Sequence, residues 1–219
     1  MRVSEPERAG GASCLSFVTC GPQLEVALNA AANRVTSLVR LGGVAPRSTL
    51  VLAAADLLIE DAGLPPDAVS TIVVSRGPGS FTGIRAGLAT AAGLAAATGA
   101  LCLAYDSLLM LAARCSEPGT VWSAQPGRRG EVYARSYEIV RERAPRAIGE
   151  IEIVAVDHAA ERGPWVAAEA LDLGSAKRTA TARSSAEALL CLVALGVTAD
   201  PLEPLYVEGP PIHQPDSGS

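Results

Sequence analysis

The decapeptide RGPGSFTGIR, Arg76 to Arg85, decides the fold because of what stands on either side of it. Before it, Thr71 to Ser75 (TIVVS) is a β-branched, apolar run of strand length. After it, Phe81 to Thr98 reads as a helix whose sole charge is Arg85, stopped by Gly99. Strand, glycine turn and helix in succession make the repeating unit of a sheet covered by crossover helices. In the loop Arg76, Gly77, Pro78, Gly79, Ser80, Phe81, Thr82 and Gly83, the glycines permit a tight turn and close backbone approach. Ser80 is placed to cap the helix, and the free N–H groups of its first turn suit an anion.

Several nucleotide and nucleophile readings fail on spacing. A Walker A loop starting at Gly77 needs glycine at 82 and lysine at 83, where Thr82 and Gly83 stand. A dinucleotide fingerprint from Gly77 and Gly79 needs the same glycine at 82. A nucleophile elbow around Ser80 needs glycines at the places of Pro78 and Thr82. An ordinary structural turn is the plain alternative to an anion contact.

Outward from the loop, Leu101 to Tyr105 reads as a strand, and Asp106 caps a helix running to about Cys115. Upstream, Cys14 to Val18, Leu24 to Leu28 and Arg34 to Val39 read as a three-stranded meander punctuated by Gly21-Pro22 and Asn33. Pro46 to Ala62 reads as a helix, with Ser48 as its N-cap and Gly63 as its stop. Downstream, strands are expected at Thr120 to Ala124, Glu131 to Ile139 and Glu150 to Val154. The stretch from His158 to Arg183 is weakly patterned, and Ser184 to Leu195 is an amphipathic helix. A meander followed by crossover helices predicts an α/β chain with a mixed sheet. The division expected is 12–105, a first lobe carrying the motif and partner-binding helices, 106–209, a second lobe, and 210–219, a proline-containing disordered tail.

Composition narrows the function. The 219 residues are 49% hydrophobic and 19% charged, so the chain can bury a core. A formal net charge of -5 gives no general attraction to nucleic acid, so no direct affinity for it is expected. Five cysteines without a Cys-x-x-Cys pair fit neither a zinc site nor a secreted disulfide framework, and point to the reducing cytoplasm. Met1 to Gly11 carries both charge signs and no apolar run, unlike a signal peptide, and no membrane contact is expected. His158 and His213 lack metal-type or triad-type neighbours, so no catalytic, metal or cofactor residue is assigned. Asp56 and Glu60, four apart on a helix, read as a solvated stripe. Arg128-Arg129 reads as a solvated hairpin turn, with a small anion contact as the alternative.

Both first-half helices are apolar nearly all round, and such helices are covered on more than one side. One sheet covers one side; a second subunit is the expected cover for the rest. The candidate interface is Leu50, Ala54 and Leu57 on the first helix, and Gly83, Ile84, Gly87, Ala91 and Leu94 on the second. Gly83, Gly87 and Ala91 recur every four residues as a small-residue stripe that would let another helix approach. A homodimer is expected for the isolated chain.

The loop and its successors resemble the TsaB (YeaZ-like) family, whose signature is RGPGSFTG followed by a basic residue. The helix Ala86-Gly-Leu-Ala-Thr-Ala-Ala-Gly-Leu-Ala, then Asp106-Ser-Leu, Gly130-Glu-Val-Tyr133 and Glu203-Pro-Leu-Tyr-Val207, follow in the family's order over about Leu15 to Val207. The resemblance implies the actin-like, sugar-kinase, Hsp70 (ribonuclease H-like) fold with two related lobes. It implies a non-catalytic partner subunit for the synthesis of threonylcarbamoyladenosine in tRNA, beside the anticodon. Its partners would be a TsaD-like catalytic subunit, met through the first-lobe helices, and a TsaE-like ATPase. Three positions depart from the family pattern. Val18-Thr19-Cys20 stands where the family has Asp-Thr-Ser, Arg47-Ser48 lies near its usual histidine, and Pro126 replaces an aspartate before the hairpin arginine. Valine cannot hold magnesium or orient water, which argues against phosphoryl chemistry. The competing readings are a nucleotide-binding phosphotransferase of the same fold and a degenerate protease-like homologue.

Overall fold

The computed structural model describes residues 13–30, 35–43, 47–168 and 171–208. The readings of a disordered tail, of His213 and of Met1 to Gly11 lie outside the described residues, as does the side chain of Ser48.

The first sheet is built around β1 (Ser13–Val18). The meander continues through β2 (Leu24–Ala30) and β3 (Val35–Leu41), and both pairings are antiparallel. On the other side of β1 lie β4 (Val69–Ser75) and then β5 (Leu101–Tyr105), each parallel to its neighbour. The order is β3-β2-β1-β4-β5. Every residue of β1 is buried, as a strand covered on both faces requires. On one face lie α1 (Arg47–Asp61) and α2 (Phe81–Thr98). On the other lies α4 (Ser185–Ala194), tied to the strand by Ser16 Oγ, which donates to Ala186 O at 2.9 Å. The expected Gly63 stop is present: Gly63 takes a φ of 65°, in the left-handed region that ends helices.

The second sheet carries β6 (Gly119–Pro126) and β7 (Glu131–Ile139) as an antiparallel hairpin. β8 (Arg146–Ala147) and β9 (Glu152–Ala155) both pair with β7. β10 (Trp165–Ala167) runs parallel to β6. That strand, preceded by a 3-10 turn at Val156–Glu161, falls inside the stretch the sequence left unpatterned. Three residues are too few to show a period. Between the sheets stand α4 and α3 (Ser107–Ala112), so the layers are helices, sheet, helices, sheet. One hydrophobic core runs through them, from Leu15, Phe17 and Val74 across Leu108 and Leu189 to Val121 and Ile139. A smaller cluster of Ala124, Val132 and Leu173 surrounds Trp165, whose Nε1 donates to Ala159 O at 2.8 Å. Trp122 leans on Trp165 at 5.6 Å between ring centres, and Arg162 lies 4.4 Å over Trp122.

Candidate functional site at the glycine turn

Ser80 caps α2 as its position suggested, with Oγ accepting from Gly83 N at 3.3 Å. The turn before it is bound to its own chain on every side. Ser80 N donates to Cys20 O at 2.9 Å, Arg76 N to Tyr105 O at 2.9 Å, and Ser107 N to Gly77 O at 2.8 Å. Ser107 Oγ donates to Pro78 O at 2.5 Å. Arg76 then reaches the C-terminal stretch, with Nε donating to Glu203 O at 2.7 Å and Nη1 lying 3.7 Å from Asp200 Oδ1. Leu205 N donates back to Arg76 O at 2.8 Å. A side chain at Gly77 would meet Leu205 O at 2.6 Å, and its φ of 105° is one that other residues avoid. With the amides of Ser80 and Gly83 engaged internally, the turn acts as a clamp, the structural alternative to an anion cradle.

The other motifs converge on that clamp. Asp106 Oδ1 accepts from Leu108 N at 2.6 Å, capping α3, while Asp106 N donates to Asp200 Oδ2 at 2.9 Å. Burial pushes the Asp106 carboxyl up to about 6, Asp200 adds to the rise, and the cap bond from Leu108 and Arg135 oppose it. Tyr133 OH donates to Glu208 Oε2 at 2.9 Å, and Arg128 Nε lies 3.2 Å from the same oxygen. Phe81 stacks on Tyr206 at 5.0 Å, with the Arg85 guanidinium 5.3 Å from the Phe81 ring centre. Residues 200–208 thus sew the first sheet's turn to the second sheet's hairpin. The sequence marked these segments, but no local signal joined them.

Val18-Thr19-Cys20 has a packing role. Thr19 Oγ1 donates to Gly83 O at 2.7 Å, and Cys20 Sγ lies 3.2 Å from Ser75 Oγ. A Cβ at Gly83 would collide with Thr19 O, and one at Gly87 with Thr19 Oγ1. The small-residue stripe therefore seats α2 on the end of β1. This corrects the expected partner face: Gly83, Ile84, Gly87 and Ala91 are buried within the chain, as is Ala54. Leu50 and Leu94 are half-buried against the core. Of the eight candidates Leu57 alone is open, at 56% exposure; Leu52, at the other edge of the exposed side of α1, is 46% exposed. The outward stripe of α2 is Thr82, Arg85, Ala89, Gly93 and Ala96, nearly opposite the one expected. It is joined on α1 by Ala53, Asp56 and Glu60.

Between the sheets, where the β1–β2 turn meets α3 and α4, the free volume is about 20 Å³, room for roughly one water. Val18, Gln23, Met110, Arg114 and Gln125 line it. The N-terminus of α4, an anion-binding end by its dipole, holds the protein's own Glu25, whose Oε2 accepts from Ala186 N at 2.9 Å. Glu25 Oε1 lies 3.4 Å from Arg40 Nε. Ser184 and Glu187 complete a capping box there, and hydrogen bonds from Ser184 hold the Glu187 carboxyl below its ordinary value. His158 is exposed and paired with Glu161 at 3.2 Å, and Asp56 and Glu60 are solvated. Among the described residues, no three His, Cys, Asp or Glu side chains gather to hold a metal, and no helix is long and apolar enough to cross a membrane.

Two α/β sheets with helices between and outside them, joined through a clamped first-lobe turn, define a protein of the actin-like, sugar-kinase and Hsp70 class. Solved structures share the whole arrangement. YeaZ from Pseudomonas aeruginosa superposes with a TM-score of 0.68 at 24% identity, covering 90% of this chain and 100% of that one. A second structure, an uncharacterized protein with similarity to peptidase YEAZ from the same organism, gives 0.71 at 23%, with the same coverage. At these identities the likeness is one of fold. The profile of the TsaD family, tRNA N6-adenosine threonylcarbamoyltransferase, matches residues 25–173, and the chain belongs to that family. The tRNA threonylcarbamoyladenosine biosynthesis protein TsaB of Bacillus subtilis (strain 168) is 36% identical over 92 residues. That match spans 42% of this chain and 40% of the relative's length.

Proposed function

We propose that this chain is a partner subunit for threonylcarbamoyladenosine synthesis in tRNA. It carries no chemistry of its own and binds a TsaD-like catalytic subunit through the outer face of α1 and α2. The observation that carries the reading is the exposed stripe of Ala89, Gly93 and Ala96 on α2 beside Leu52, Ala53 and Leu57 on α1, an apolar patch bordered by Thr82, Arg85, Asp56 and Glu60 on two adjoining helices. Alanines and a glycine on α2 let a facing helix come close, and two leucines supply anchors. The cleft supports the non-catalytic part. A nucleotide phosphate would find the α4 N-terminus already taken by the Glu25 carboxylate, and the pocket there, beside the β1–β2 turn, is about 20 Å³. A TsaE-like ATPase would join the assembly, and the same helical face would pair two copies when the chain is alone. With a net charge of -5, tRNA would be met through the catalytic subunit.

The test is titration of the cognate TsaD-like subunit into the wild-type chain and into Leu57→Asp. Loss of roughly 10–100-fold in affinity is expected, the range for a truncated interface anchor. Affinity unchanged in the variant would remove this face from the interface. ATP turnover by the purified chain that survives further purification would overturn the non-catalytic reading.

A further inference from the structure

A second cavity lies away from both the clamp and the α1–α2 face. It occupies about 330 Å³ where the end of β7 and the turn after it meet α4. Its floor is apolar, made by Ala113, Ile139 and Leu195. Its polar lining is mainly cationic: Arg141, Arg143 and Arg183, with Glu142 the single acidic residue. Elsewhere Arg40, Arg76, Arg128, Arg135, Arg146 and Arg162 each lie within 4.0 Å of a carboxylate. The three around this cavity, like Arg85, Arg129 and Arg178, have no carboxylate within 4.0 Å among the described residues, and here three such groups border one cavity. Arg183 is nevertheless held, because its Nη1 donates to Ala113 O at 2.6 Å. Arg141 and Arg143 flank Glu142 in a turn closed by Arg143 N donating to Val140 O at 3.1 Å, and Glu142 sits at a φ of 58°. A non-glycine residue held there marks a turn of defined shape.

Among the lining residues three guanidinium groups stand against the one carboxylate of Glu142, with Glu187 near enough to Arg183 to feel its charge, in a chain whose net charge is -5. Guanidinium forks match phosphate and carboxylate oxygens two at a time. A volume near 300 Å³ is that of a small-molecule pocket, and an apolar floor under a charged rim suits a ligand with one charged end. We propose that this cavity binds a small dianionic molecule, a phosphate monoester or a dicarboxylate, whose apolar body rests on the floor and whose charged end meets the three arginines. The site is independent of the partner face.

Cys191 lines this cavity and a neighbouring one along α4 and is half-buried, whereas Cys102 on β5 is half-buried and outside both, so protection of Cys191 that also requires Arg141 and Arg143 reads this site, with Cys102 as internal control. Alkylation by iodoacetamide would be followed at both by peptide mass spectrometry, with phenyl phosphate, phthalate or benzyl alcohol present. Phenyl phosphate or phthalate is expected to slow Cys191 at least about 5-fold and leave Cys102 unchanged; the stronger of the two identifies the charged group. Benzyl alcohol, which lacks the charge, is expected to protect neither. The double variant R141Q/R143Q, on an exposed turn that leaves the core untouched, is expected to lose the protection and about 10-fold or more in affinity by calorimetry. R146Q, whose side chain pairs with Glu138 outside the cavity, is expected to behave as wild type. Protection by benzyl alcohol alone, equal slowing of both thiols, protection retained in R141Q/R143Q, or no protection by either dianion would each overturn the proposal.

Discussion

The gap between the two sheets and the outer face of α1 and α2 are treated oppositely by this sequence. In the gap, polar and charged groups turn inward: Glu25 sits on the amide of Ala186 and Asp106 caps α3, while Gln125 Oε1 is buried without a hydrogen-bond partner beside a pocket of about 20 Å³. On the outer face, among the described residues, Leu52 and Leu57 are about half exposed, alongside alanines and a glycine. Sealing charges costs desolvation and exposing leucines forgoes burial. A fold that does both has its interior fixed for shape and its exterior free for contact.

The sharpest way to break that contrast is at the buried glycine seam. Gly83→Val places a branched side chain against the carbonyl of Thr19, which is backbone and cannot swing aside. The expected loss is about 3 kcal/mol or more, a fall in Tm of roughly 6–12 °C for a chain of this size. A melt unchanged by Gly83→Val would show that α2 does not rest on β1.

Next comes the sealed carboxylate. Asp106 has its folded pKa raised to about 6 from the ordinary 3.8. The folded state therefore holds a proton that the unfolded state has lost across that window, and stability falls as pH rises from about 4 to about 6. The shift corresponds to roughly 3 kcal/mol at most. Asn at 106 can still cap α3 without the charge. Urea midpoints of Asp106→Asn and wild type should therefore diverge in the variant's favour as pH rises through 6. Parallel curves would mean the carboxyl is solvated.

Ala91→Leu is the intermediate case. Ala91 is fully buried, so enlargement should lower stability by about 1–3 kcal/mol. Partner affinity measured well below the melt should change little. The smallest effect on the isolated chain is expected from Leu52→Asp combined with Leu57→Asp. Surface changes of this kind stay within about 0.5 kcal/mol each, so the melt should hold. A melt that falls by several degrees would show that the face is already covered.

The strand–turn–helix from Thr71 to Thr98 was fully legible, because a β-branched run, a glycine loop and a helix stop are all local signals. The direction α2 faces was not. Its alanines and glycines lie on every side, so periodicity carries little contrast, and what decides the matter is Thr19, more than sixty residues earlier in the chain. α4 was legible as an amphipathic helix from Ser184 to Leu195, and the structure adds the capping box of Ser184 and Glu187. That it covers the first sheet rather than the second depends on Ser16 and Glu25, which nothing near residue 185 announces. The clamp shows the same limit: Arg76, Ser107 and Glu203 stood out separately, and only the fold shows that they touch.

The two tryptophans of the chain, Trp122 and Trp165, lean on each other in the second sheet. Tryptophan fluorescence, excited beyond the absorption of tyrosine, is therefore a report from one half alone. A ligand settling on α1 and α2, or a loosening of β1 to β5, would leave the emission dark to the event unless the continuous core carried it across to β6 and β10. An unfolding curve recorded by fluorescence and one recorded by far-UV dichroism are thus two different questions put to the molecule. Their coincidence measures how firmly α3, α4 and the stretch from Asp200 to Glu208 couple the halves into one cooperative unit.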